Sequence, residues 1–91
     1  MRQEQLECRF EHFIPEVLEE GLLYISMEYS AVLHKCFCGC GSTVSTPLSP
    51  SGWKLTYDGK TVTLDPSIGC YQLPCKSHYN IKNNRIIWYE S

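Results

Sequence analysis

The sequence predicts a mainly β fold: small antiparallel β hairpins with one short N-terminal helix, zinc-stabilised and zinc-ribbon-like. Three observations carry that expectation. Two segments, WKLTYDGKTVTL and HYNIKNNRIIWYE, alternate apolar and polar residues about turn-forming pairs, the pattern of β-hairpins. Three cysteines stand at alternate positions in HKCFCGCGS, Cys36, Cys38 and Cys40, and CKSH adds Cys75 and His78. At 91 residues the chain buries only roughly 60 to 65% of the surface it exposes unfolded, so a staple across its loops is of value.

Residues 1–12 are polar and aperiodic, an N-terminal arm or a first edge strand, and residues 13–91 are expected to form a single zinc-binding β domain. In FIPEVLEEG, Pro15 suits a first helical position, Glu16 favours the positive N-terminal end, and Gly21 can close a helix of one or two turns. Leu23, Ile25, Met27 and Tyr29 then alternate as in a strand with one buried face. Ala31 to Lys35 either continue that strand or form a second one. Gly39 and Gly41 free the backbone to turn sharply about an ion. Pro47, Pro50, Gly52 and several hydroxyl residues make residues 42–52 a loop by composition.

In the first hairpin Asp58 and Gly59 can occupy a type I′ turn, placing Trp53, Leu55 and Tyr57 on one strand and Val62 and Leu64 on its partner. The second turns at Asn83 and Asn84, opposing Ile81 to Ile86 and Tyr79 to Trp88. Between them DPSIGCYQLPC is a non-repetitive segment that leads the chain back to the first cysteine cluster.

Six cysteines suit either a disulfide scaffold or a metal site. MRQEQLECRFEH lacks the charged start and apolar stretch of a secretory signal, which predicts the reducing cytoplasm. Adjacent CxC thiols are poorly placed to bond each other, yet both can face one ion. One Zn2+ is therefore expected, with Cys36, Cys38, Cys40, Cys75 and His78 competing for four places, and iron suits the same thiolates. Ligation this rich in cysteine points to a structural ion, and a thiol left over beside it would be reactive. His34 shares the parity of Cys36 and is read as a strand residue or a group orienting a ligand; Cys8 and Cys70 are read as ordinary thiols.

Other function classes are disfavoured. No apolar run approaches the ~20 residues that span a bilayer. Eight basic against ten acidic residues give a net charge of −2 with no Lys/Arg run, so the footprint for nucleic acid is missing. Catalysis stays open. His78 at the head of a hairpin strand is similar to the base of papain-like cysteine hydrolases, and SHYNIKNNRIIWY resembles the HxGIYxG hairpin of the small cell-wall peptidases of that class. Cys38, Cys40 or Ser67 would then be the nucleophile. Those enzymes set their cysteine at the start of a long helix, which this chain does not offer, and His78 cannot be both a zinc ligand and a free base.

The chain also resembles a domain-of-unknown-function family of small bacterial and phage proteins marked by CGCG and CxSHY zinc-binding motifs. The resemblance runs through IPEVLEEGLLYIS, HKCFCGCG, the W…DG…VTLDPSIG stretch and CKSHYNI with Trp88, covering about residues 14–89. It carries over onto Cys36, Cys38, Cys40, Cys75, His78, Pro66, Ser67 and Ile68, and not onto Cys8 or Cys70. Members often lie beside genes for E1-like, E2-like and ubiquitin-like proteins, which implies a part in a bacterial ubiquitin-like conjugation pathway. Two roles follow as expectations: a zinc-binding adaptor that contacts the modifier, the E1-like or the E2-like enzyme, or a deconjugating or processing peptidase. The peptidase would use a Cys or Ser nucleophile with His78, or an open zinc.

Overall fold

The computed structural model describes residues 3–70 and 73–89. They form two four-stranded sheets, β1(Glu7–Phe10), β2(Leu22–Ser26), β3(Ala31–Lys35) and β4(Thr43–Ser45) in one, and β5(Lys54–Tyr57), β6(Val62–Gly69), β7(His78–Lys82) and β8(Arg85–Trp88) in the other. Neighbouring strands are antiparallel except β1 and β2, whose parallel pairing is made by the crossover at residues 11–21. No helix among the described residues is long and apolar enough to cross a membrane.

The inner faces of the sheets meet in one core. Leu23, Ile25 and Val32 come from the first, and Val62, Leu64, Ile68, Tyr79, Ile81 and Ile86 from the second, with Leu6, Cys36 and Phe37 between them. The segment 3–6 fastens the two sheets together: Leu6 N–H donates to Asn84 O at 2.9 Å and Ile86 N–H to Glu4 O at 2.9 Å, while Gln3 N–H donates to Phe37 O at 2.9 Å. Thus the stretch expected to be an arm or an edge strand supplies β1 and this link.

The helix expected after Phe13 is absent; residues 13–21 hold only bends and a turn. One or two turns cannot repay the cost of nucleation, and the segment has a better use for its apolar residues. Leu18 packs with Leu22 and Tyr24 on the outer face of the first sheet, with Ile14 beside them, and Glu19 N–H donates to the Tyr24 hydroxyl at 3.0 Å. This explains why β2 is buried on both faces. It also ends sooner than the alternation implies, since Met27 and Tyr29 are exposed in the turn to β3.

The second hairpin has the expected form. Asn83 and Asn84 both carry positive φ, 51° and 62°, and Ile81 lies opposite Ile86 and Tyr79 opposite Trp88. The first differs: Tyr57 pairs with Val62, leaving a four-residue loop in which only Gly59 has positive φ. Asp58 makes this loop, its Oδ1 accepting from Lys60 N–H at 2.9 Å and Thr61 N–H at 2.6 Å. Two departures extend strands beyond their composition. β4 lies inside the expected 42–52 loop, and β6 continues through Pro66 to Gly69 with a register shift between Leu64 and Ile68. Such an irregularity is where a strand tolerates proline.

Candidate functional site

Thiols come first, because they bring distant segments together. The loop after β3 turns through Gly39 and Gly41, with φ of 91° and 82°, conformations that a side chain would strain. That turn gathers Cys36, Cys38 and Cys40, and the turn before β7 delivers Cys75, so that all four sulfurs lie within 4.8 Å of one another. Cys36 Sγ is 3.4 Å from Cys38 Sγ and 3.7 Å from Cys75 Sγ. A tetrahedral ion with Zn–S bonds of 2.3 Å spaces its sulfurs by about 3.8 Å, so the geometry suits a four-thiolate metal.

The electrostatics of the cluster ask for a cation. The Ser42 amide and hydroxyl hold Cys40 down to about 6, whereas burial pushes the Cys36 thiol well above its ordinary range. Four thiolates this close repel one another, and a divalent ion in their midst would remove that conflict.

His34, read as a strand residue or an orienting group, lies wholly buried on β3 outside the four. Its Nε2 is 2.7 Å from the Tyr79 hydroxyl, and its ring stacks on Phe37 at 4.5 Å. Burial lowers its pKa to about 3, so it is neutral near pH 7. The Tyr79 hydroxyl in turn lies 4.0 Å from Cys36 Sγ and 3.9 Å from Cys70 Sγ. Replacing Tyr79 with Phe leaves the His34 ring nitrogen buried and unpaired, an expected loss of about 1 to 3 kcal/mol of unfolding free energy. Urea unfolding of the two proteins checks this.

His78, expected among the metal candidates and also as a base, does not join the thiols. Its Nε2 is 2.8 Å from Ser67 Oγ. The topology accounts for the pairing. Ile68 opposite Tyr79 and Gly69 opposite His78 fix the register, and Ile68 and Tyr79 point into the core, so Ser67 and His78 share the outer face. They are diagonal neighbours, and the position directly across from His78 is a glycine that leaves room for the imidazole to lean towards the serine. The irregularity at residues 65–67 sets Ser67 at the point where β6 bends, a placement that re-aims a side chain. Tyr89 covers the other flank of the imidazole, ring centroids 5.0 Å apart.

Ser67 and His78 are both half-buried, open enough for a substrate and sheltered enough to hold their geometry. Cys38 and Cys40, the other nucleophile candidates, sit in the thiol cluster instead. Gly69 across from His78, and Asn80 on the same strand face, were not legible in the sequence as neighbours of the pair. Asn80 follows His78 by two residues on the same strand face, and its side-chain oxygen is buried without a hydrogen-bond partner; the period-two alternation along β7 is the signal that would have found it. Cys70 is buried and Cys8 partly so, both as free thiols.

Residues 10–89 match the family model described as "Bacterial ubiquitination-like system serine protease (BubE)". No curated protein matches the chain, and neither does any solved structure.

Proposed function

The chain belongs to this family of a bacterial ubiquitination-like system, and from that membership we propose that it is a serine peptidase that processes or removes the system's ubiquitin-like modifier. One observation carries the reading: Ser67 Oγ and His78 Nε2 are 2.8 Å apart on an accessible sheet face. That is the spacing of a nucleophile and its general base. Ser67 adds to the carbonyl carbon at the end of the modifier while His78 Nε2 takes the hydroxyl proton. Collapse breaks the carbon–nitrogen bond, and the leaving amine takes that proton from the imidazolium; water then adds to the resulting ester with His78 again as base, the Oγ–carbon bond breaks to release the acid, and the imidazolium returns its proton to Ser67. An adaptor bridging the modifier and an E1-like or E2-like enzyme would leave the Ser–His pair without a purpose.

The four thiols hold a structural ion in this reading, zinc by its preference for tetrahedral sulfur. They fasten the β3–β4 loop to the segment that enters β7, three residues before His78, so the ion steadies the base from a distance and takes no part in the reaction. The reducing cytoplasm is the proposed setting, where free thiolates persist to bind metal.

A fluorophosphonate tests the nucleophile without a substrate. It is expected to modify Ser67 alone, as peptide mapping would read, with the rate falling on the order of 100-fold in His78→Ala. Modification elsewhere, or equal rates in the two proteins, would return the adaptor to first place.

A further inference from the structure

We propose that the site takes its substrate as an extended strand: the C-terminal tail of the ubiquitin-like modifier pairs by main-chain hydrogen bonds with the open side of β6 at residues 66–69. The inference rests on the peptidase reading above and adds how the substrate is held.

β6 is flanked unevenly. β7 pairs with it as far as Gly69, but on the other side β5 begins at Lys54, opposite Asp65, and no described strand continues the ladder beyond that point. The chain before β5 turns to the first sheet instead. Trp53 N–H donates to Pro47 O at 3.1 Å, and Leu48 N–H to Ser30 O at 2.9 Å, just before β3. Pro66 and Gly69 are exposed.

The direction of the main-chain groups follows from the ladder. Cys70 N–H donates to Ser77 O at 2.7 Å, which makes Cys70 with Ser77 and Ile68 with Tyr79 the hydrogen-bonded pairs. Gly69 and His78 then form a non-bonded pair, whose N–H and C=O groups point away from each other. His78 agrees, since its carbonyl accepts from Tyr89 N–H on the far side at 2.9 Å. The Gly69 N–H and C=O therefore point to the open side, a donor and an acceptor spaced for one residue of an added strand.

This edge is in the right place for the chemistry. Adjacent strands bring facing side chains to within about 5 Å. Ser67 would stand between His78 on one neighbouring strand and the tail on the other, with its hydroxyl reaching the tail's carbonyl from one side and the imidazole from the opposite side. An extended tail also has no bulk of its own to clash with a half-buried nucleophile, whereas a folded segment could not reach it.

The kinetic test uses the unaltered chain, and Ser67→Ala serves only to hold the uncut fusion. The probe is the system's ubiquitin-like protein, semisynthetic at its C-terminus, joined through its tail to a fluorescent reporter peptide, with one tail amide N-methylated at a time. Methylation at amides that face β6 is expected to lower kcat/KM by about fivefold or more, and at the intervening amides by less than about twofold, because only alternate residues of a strand bond to a given neighbour. Slower hydrogen exchange of the Gly69 amide is expected in parallel when Ser67→Ala holds the uncleaved fusion. Cleavage with a methylation profile lacking the two-residue period, or an unchanged Gly69 amide, would overturn the strand docking while leaving the peptidase intact. If fluorophosphonate fails to label Ser67 and the fusion is not cut, the peptidase reading falls, and this proposal falls with it.

Discussion

Ser67→Ala is expected to abolish cleavage of the modifier's C-terminal fusions, by on the order of 10³-fold or more, while changing unfolding free energy by less than about 1 kcal/mol. The separation of the two effects is the point. Ser67 lies on the outer face and its hydroxyl meets His78, so its loss opens no cavity in the core. In the proposed reaction the hydroxyl alone would form the acyl intermediate, and the other candidate nucleophiles, Cys38 and Cys40, are gathered with Cys36 and Cys75 instead. Steady-state cleavage together with thermal unfolding of the variant checks both halves. A variant that cut normally would show the Ser–His contact to be structural.

Cys75→Ser is expected to behave in the opposite way, losing metal, fold and activity together. Binding of zinc to four thiolates contributes on the order of 10 kcal/mol to folding in small metal-dependent domains, a quantity comparable with the whole stability of a chain this size. Removing one ligand forfeits a large part of it, about 5 kcal/mol or more, and leaves three sulfurs that repel. The loss reaches His78 because Cys75 ties down the approach to β7. Metal content by mass spectrometry and circular dichroism before and after a chelator follow the change, and Cys8→Ala, outside the cluster, should keep its ion. Full metal content with a native spectrum in Cys75→Ser would remove the clamp from the account.

Local chemistry explains which features could be read in advance. The Asn83–Asn84 turn and its register follow from two residues that tolerate positive φ, and the approach of Cys75 to the first cysteines follows from ligand chemistry. The Asp58 loop was found in place but not in form: the Asp58 carboxylate collects two backbone amides, an outcome that competes with the tighter turn and depends on side-chain geometry. The helix after Phe13 failed because capping residues describe what a segment can do alone, whereas Leu18 had Leu22 and Tyr24 to cover. His78 was the hardest position. Its CxxH spacing from Cys75 suits a ligand, and only the pairing of β6 with β7, a contact across many residues, turns it to Ser67.

Residues 3–6 carry one more consequence. Their backbone occupies groups on β8 as well as on the loop after β3, so this short stretch is the guard of an edge that would otherwise invite a stranger. Clipping it would do more than shorten the protein. It would bare the Ile86 amide and Asn84 carbonyl to any extended chain nearby, and in a molecule proposed to welcome one strand at β6, a second vacancy is a route to self-association and aggregates.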